Sequence, residues 1–215
     1  MVIRRGVLLE REGVLVHRPN AKGVAFCEDC KFMPRSLEAL SLFSENNIAV
    51  RIVSHQPCVG SGQRTLHELG KQTRRLLLEI ALHGADVEKV YYCTHSYPRD
   101  CLCRKPLPGM LLKAMLDGFW RPPDTYMIGD SEADMEAASR AGCRGILLRR
   151  DALLGAEVRW RNSTEVASSL YEAAERIVLE NVTRFAQTAA RTGIPTSIPC
   201  LWQTPDFTDL EKEPA

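Results

Sequence analysis

The chain has 215 residues, 45% of them hydrophobic and 26% charged, with 28 Lys+Arg against 27 Asp+Glu, which is room for one domain with its own core and a short appendage. The near-balance of charge argues against a nucleic-acid binder held by a broad basic field, and no apolar run approaches the ~18–20 residues that a membrane span needs. The N-terminus, Met1-Val-Ile-Arg-Arg, lacks the apolar stretch of a signal peptide, so a cytoplasmic protein with no nucleic-acid and no membrane partner is expected. In a reducing compartment its eight cysteines suggest metal ligands before disulfides.

Strand-like and helix-like segments alternate. Gly6 to Leu9 is a short apolar run, continued after a charged break by Val14-Leu-Val. The spacing of Leu37, Leu40 and Phe43 predicts a helix over Pro34 to Asn46, followed by a strand from Ile48 to Val53. Gln63 to His83 reads as a long amphipathic helix, and Lys89-Val-Tyr-Tyr as a strand. Pro108 to Leu116 is helical, Tyr126-Met-Ile a strand, Glu132 to Ala141 a helix and Gly145-Ile-Leu-Leu a strand, and a last helix is expected from Thr164. Its stripe of Val166, Leu170, Ala173, Ala174, Ile177, Val178, Val182 and Phe185 recurs at helical spacing. Strands separated by helices imply βαβ crossovers, hence an α/β fold with a doubly wound parallel sheet covered on both faces. In such sheets ligands bind beyond the carboxyl ends of the strands. Residues able to do chemistry stand at four such exits: Glu10 to Glu12, Ser54-His55-Gln56, Cys93 to Lys105, and Gly129-Asp130.

Cys93-Thr-His95 and Cys101-Leu-Cys103 are two closely spaced hooks. Three thiolates and one imidazole are the ligand number and softness of a closed tetrahedral zinc site. No open position would remain, so such a zinc would be structural, ordering a loop that has no core of its own. Cys27-Glu-Asp-Cys30 is a second pair, either redox-active or metal-binding, or two thiols in a loop. Cys58, Cys143 and Cys200 are expected to be packing residues. His17, His67 and His83 show no arrangement that suggests a site.

Asp130 at a strand exit and Asp134 one helical turn later have two readings. Two carboxylates there suit a hydrated Mg²⁺, and the same residues suit the capping of a helix N-terminus. Lys105, flanked by Arg104, is either a phosphate-binding cation or a solvated surface charge.

Four blocks resemble the haloacid dehalogenase (HAD) superfamily, in particular its small zinc-loop phosphatases acting on heptose bisphosphate and histidinol phosphate: Leu9-Glu-Arg-Glu-Gly-Val-Leu, Val53-Ser-His-Gln, Cys103-Arg-Lys-Pro-Leu-Pro-Gly-Met-Leu and Met127-Ile-Gly-Asp-Ser-Glu-Ala-Asp. The resemblance covers about residues 5–150. It implies a HAD-like Rossmannoid domain without a large cap and a Mg²⁺-dependent phosphomonoester hydrolase acting on a small sugar phosphate. In that family a D-x-D-G-T block supplies the nucleophile and the general acid/base. A Ser or Thr and a Lys hold the phosphoryl oxygens, and further Asp residues join the nucleophile on Mg²⁺. Carried over, Ser54 and Lys105 match the phosphate ligands, with His55 and Arg104 beside them, and Asp130 and Asp134 match the metal carboxylates.

The departure lies in the first block, where this chain has Glu10-Arg-Glu12-Gly-Val14. Both catalytic and metal-binding Asp positions are Glu, and His55 replaces the family's Asn. One extra methylene displaces a carboxylate by roughly the ~1 Å that can cost on the order of 100-fold in rate. Three readings follow: a working phosphatase with an adjusted site, a phosphate- or Mg²⁺-binding protein of very slow turnover, or an inactive HAD scaffold serving ligand or protein binding. His55 is either a substitute acid/base, since imidazole titrates near neutrality, or a hydrogen-bonding loop residue. The HAD-like domain is expected over 1–180. Residues 181–215 form an extension whose tail carries Pro195, Pro199, Pro205 and Pro214, placed to mediate a homodimer or a protein partner.

Overall fold

The computed structural model describes residues 6–18, 31–97, 100–149 and 164–192, so Cys27, Cys30, Cys200 and the Pro-rich tail lie outside the described residues. The apolar runs form six parallel strands, β1 (Gly6–Leu9), β2 (Ala49–His55), β3 (Lys89–Cys93), β4 (Thr125–Gly129), β5 (Arg144–Leu148) and β6 (Thr164–Ala167), in the order β3-β2-β1-β4-β5-β6. The order reverses at β1, from which the chain winds outward in both directions. That switch point is where a doubly wound sheet opens a crevice.

Alternate strand residues feed two cores. Val7 and Leu9, Val50 and Ile52, Tyr126 and Ile128 face one side, where α1 (Ser36–Glu45), α3 (Leu66–Leu82) and the start of α6 (Leu170–Thr192) contribute Leu40, Phe43, Leu76, Ile80, Ala173 and Ile177. Leu8, Val53 and Met127 face the other side, under α4 (Gly109–Gly118) and α5 (Glu132–Ala141), which supply Leu111, Ala114, Ala137 and Ala138. Each such buried Leu, Ile, Val, Phe or Met stabilises by about 1.5–3 kcal/mol. A single-turn helix, α2 (Pro57–Gly60), follows β2. Capping boxes start α3 (Thr65 with Glu68) and α5 (Ser131 with Asp134), and Gly142, at φ 75°, ends α5 in the left-handed region.

Two sequence expectations are corrected. Val14-Leu-Val is not a strand: Leu15 and Val16 both donate backbone bonds to Arg11 O, which makes a tight turn with isolated bridges. Thr164–Ala167 is a strand, paired with β5, and the helix begins only at Leu170. Val166 belongs to the sheet, because the parallel ladder beside β5 satisfies this segment's backbone. The chain divides into two compact units, Met1–Val178 and Leu179–Ala215. In the second, the helical residues present Leu179, Val182 and Phe185 as exposed side chains. No helix among the described residues is long and apolar enough to cross a membrane.

On the α4–α5 side the buried Arg51 guanidinium donates to Glu88 (2.8 and 3.0 Å) and lies over the Trp120 ring at 4.6 Å. The same indole covers Gly6, where an added Cβ would overlap its six-membered ring. Gly6→Ala is therefore expected to destabilise the domain by about 1–3 kcal/mol, read as a lower urea midpoint at unchanged m-value.

Candidate active site

The crevice beyond β1, β2 and β4 is a cavity of about 780 Å³ lined by Glu10, Arg11, Glu12, His55, Lys105 and Asp134, among others. Glu10 leaves β1 with its N–H donating to Ile128 O at 3.0 Å, which fixes its backbone against β4. Its side chain is buried and ion-paired with Lys105. The Arg11 N–H donates to its other oxygen at 2.9 Å. The Lys105 ammonium also pairs with Asp134 Oδ1, so one cation joins two carboxylates from different elements. Burial pushes the Glu10 carboxyl above its ordinary value, partly opposed by Lys105. The Lys105 ammonium is held above its ordinary value by Glu10 and Asp134, against desolvation.

Of the two readings of Asp134, the helix cap is realised, and the other oxygen meets a cation of the protein. Its Oδ2 accepts the Ser131 N–H (3.1 Å) and hydroxyl (2.5 Å) as the cap of α5, while Oδ1 faces Lys105. Asp130, at the exit of β4, is held by a fork from Arg18, with Nε at 3.1 Å and the terminal nitrogen at 2.5 Å. Gly13, at φ 85°, leaves the room beside it, since a Cβ there would overlap the Asp130 carboxylate. The carboxylates gather at one end of the sheet, but Asp130 and Asp134 face different cations.

Glu12 points toward β2. Ser54 Oγ donates to it at 2.8 Å, Gln56 Nε2 at 2.9 Å and Arg11 Nε at 2.6 Å, with a further ion pair from Arg11. Arg11 is buried, accompanied by the Tyr92 hydroxyl at 3.2 Å and the Tyr92 ring. The Arg11 guanidinium and these hydrogen bonds hold the Glu12 carboxyl below its ordinary value despite desolvation. Of the four side chains expected at the phosphate, Lys105 and His55 line the cavity. Ser54 is fully buried, with its hydroxyl on Glu12. Arg104 is not among the lining residues; its guanidinium stacks over Tyr97 at 4.0 Å. His55 Nε2 lies 3.0 Å from His95 O, and burial lowers its imidazole from the ordinary value. His17 and Cys58 line the cavity as well. Arg18 is a cavity residue that the sequence reading passed over, because its partner Asp130 is brought near only by the sheet, while Arg11 and Gln56 enter that reading only as parts of strand exits.

Beside the cavity, Cys93, His95, Cys101 and Cys103 place their ligand atoms within 4.8 Å of one another. Cys93 Sγ lies 3.7 Å from Cys101 Sγ and 3.7 Å from His95 Nδ1, and Cys103 Sγ lies 3.3 Å from that nitrogen. Bonds of about 2.3 Å to sulfur in a tetrahedron imply edges near ~3.7 Å, so the soft donor set fits a single metal ion. The loop is seated on backbone at both sides. Gly60 meets it at Thr94 O and Ser96 N, and Gly109 meets it at Leu102 O.

A parallel sheet switching at β1, with acidic exits from β1 and β4 bridged by a lysine, defines a HAD-like hydrolase architecture. Comparisons with known proteins agree. The family model described as HAD-hydrolase-like matches residues 102–173. The D-glycero-beta-D-manno-heptose-1,7-bisphosphate 7-phosphatase of Pseudomonas putida is 30% identical over 149 residues, 66% of this chain and 81% of that protein. The corresponding 7-phosphatase of Campylobacter jejuni, for the alpha anomer, is 29% identical over 67% of this chain and 81% of its own. The crystal structure of the D,D-heptose 1,7-bisphosphate phosphatase of B. bronchiseptica, complexed with magnesium and phosphate, superposes with a TM-score of 0.74 at 26% identity, over 82% of this chain and 99% of that one. The chain belongs to the HAD superfamily, in the group of the heptose-bisphosphate phosphatases. These relatives support the expectation of a phosphomonoester hydrolase.

Removing Lys105 leaves Glu10 and Asp134 facing each other without a cation. Lys105→Met is expected to cost about 3–5 kcal/mol near pH 7.5. Burial already raises Glu10, and loss of the ammonium raises it further. A carboxyl raised on folding is most stabilising when protonated, so the variant loses stability as pH rises through that value. Urea midpoints at pH 5.5 and 7.5 are expected to show a smaller gap from wild type at the lower pH.

Proposed function

We propose that the protein is a Mg²⁺-dependent phosphomonoester hydrolase acting on a small sugar phosphate, with Glu10 as the attacking carboxylate. The observation that carries this reading is the buried Glu10 carboxylate at the exit of β1, joined through the Lys105 ammonium to Asp134 at the edge of a cavity of about 780 Å³. That volume admits a ligand the size of a phosphorylated sugar. Glu10, Asp130 and Asp134 are hard oxygen donors of the kind Mg²⁺ takes, and they would hold it. Bound there, the ion would neutralise charge on the phosphoryl oxygens. Lys105 supplies a buried cation for the same oxygens, and the Glu10 N–H bond to Ile128 O orients the residue. The longer side chain sets the carboxylate deeper than an aspartate would, so turnover is slower than an aspartate in this position would give. The relatives named as heptose-bisphosphate phosphatases make a phosphorylated heptose the first substrate to try. None of the five described cysteines is in a disulfide, as a cytoplasmic location would keep them.

A second reading, an inactive scaffold that binds a ligand or protein, is favoured by one observation. Glu10, Glu12, Asp130 and Asp134 all have internal cations already, from Lys105, Arg11 and Arg18. Phosphate release from a panel of sugar phosphates with and without Mg²⁺ separates the two readings. Wild type is expected to release phosphate only with Mg²⁺, and Glu10→Gln to lower kcat by on the order of 10⁴-fold or more. The active form of Glu10 is the ionised one and burial raises its pKa. No release from any ester supports the scaffold.

We also assign Cys93, His95, Cys101 and Cys103 to one structural zinc, supported by their tetrahedral spacing. Metal analysis is expected to find one zinc per chain. Cys101→Ser is expected to lose it and to lower Tm by roughly 5–10 °C.

A further inference from the structure

Away from its acidic end the cavity carries a phenol ring, Tyr97, together with hydrogen-bonding side chains from the turn into α3, Ser61, Gln63 and Arg64, and Gln72 within that helix. The ring belongs to the cysteine–histidine loop and is held from two sides. The Arg104 guanidinium lies over it at 4.0 Å, and Arg104 is itself tied to Ser96 O at 3.3 Å. The His55 imidazole meets it in a T-shaped contact, with centroids 6.1 Å apart and planes at 75°. Tyr97 is nevertheless 72% exposed, so the guanidinium covers one face and leaves the other open. The same two neighbours set its place relative to the chemistry. Arg104 precedes Lys105 and His55 follows Ser54, so the ring stands one residue aside from the buried ammonium and from the exit of β2. Arg104, the residue expected at the phosphate, here holds the ring instead. A wall of this composition suits a ligand with one apolar face and many hydroxyls. A ring-closed sugar has both, since its C–H groups present a face and its hydroxyls point outward. An open-chain sugar has the hydroxyls without the face.

We propose that Tyr97 is a specificity-determining residue, whose open face packs against the carbon face of a cyclic sugar and selects ring-closed sugar phosphates over open-chain ones of equal charge. The inference rests on the hydrolase reading above and narrows its substrate class, with the ester phosphate at the Glu10–Lys105 end of the cavity. The contact is made in the bound ester and persists as the bond to phosphorus breaks. Its effect therefore falls on KM rather than on kcat. The Tyr97 hydroxyl has no part in it, so a phenylalanine ring serves equally.

The test measures KM and kcat for glucose 6-phosphate and for sorbitol 6-phosphate, its open-chain counterpart, in wild type, Tyr97→Phe and Tyr97→Ala, with p-nitrophenyl phosphate as a control ester. A ring contact of this kind is worth on the order of 2- to 10-fold in affinity. Wild type is expected to show a KM for the cyclic ester lower by about 5-fold, and Tyr97→Phe to keep that ratio. Tyr97→Ala is expected to bring the two KM values to within about twofold, by raising the one for glucose 6-phosphate. A merely structural role would lower kcat for both sugar esters and keep the ratio of their KM values. That result overturns the inference, as do equal wild-type KM values for the two sugar esters or a Tyr97→Phe variant that loses the ratio. Release from the aryl ester alone, with neither sugar ester cleaved, also overturns it, and all four outcomes leave the hydrolase chemistry standing. Failure of wild type to release phosphate from any of the three overturns the hydrolase reading and the inference with it.

Discussion

One ammonium group keeps the centre of this domain closed. Lys105 reaches from the end of the cysteine–histidine loop into the crevice and meets Glu10 from β1 and Asp134 from α5. Two carboxylates that close would otherwise repel in a medium of low dielectric, and desolvation already raises Glu10. The cation thus holds together the first strand, the helix after the fourth and the loop after the third. Because Asp134 also caps α5 through Ser131, the site and the helix terminus depend on the same side chain.

Around that pair, charge compensation proceeds locally. Arg18 answers Asp130, and Arg11 answers Glu12, so four carboxylates face three cations. The two long acids of the first turn meet different cations, Glu10 a lysine and Glu12 an arginine. The cysteine–histidine loop belongs to this assembly. The loop bearing Cys93 and His95 is tied to β2 through Gln56 N–H on Cys93 O (2.7 Å) and His55 Nε2 near His95 O (3.0 Å). Order in the loop is therefore order at the cavity wall.

The sequence carried the sheet and most helices because their periods of 2 and 3.6 are local. Ser131 and Asp134 also mark the start of α5 locally, with Glu132 in its first turn. Thr164–Ala167 was read as helix because four residues are too few to reveal a strand whose partner is β5. The cysteine–histidine hooks were legible by spacing alone. Glu10 and Glu12 became visible only through the family's motif, since two glutamates beside an arginine otherwise look like a solvated turn. Arg11 and Arg18 stayed illegible. Arg11 has Glu12 beside it, but its second contact, Tyr92, and the partner of Arg18, Asp130, are 81 and 112 residues away, and nothing local predicts which side of the sheet a turn will offer them.

The four-donor cradle around Glu12 has a historical consequence. Its fit to a glutamate makes the turn epistatic, because an aspartate there would fall short of Ser54 and Gln56 and strand the Arg11 charge in the interior. Glu12→Asp alone would meet a stability barrier before any catalytic gain, so a change there would have to include Arg11. The long acid and the buried arginine are in that sense one unit, written at two adjacent positions.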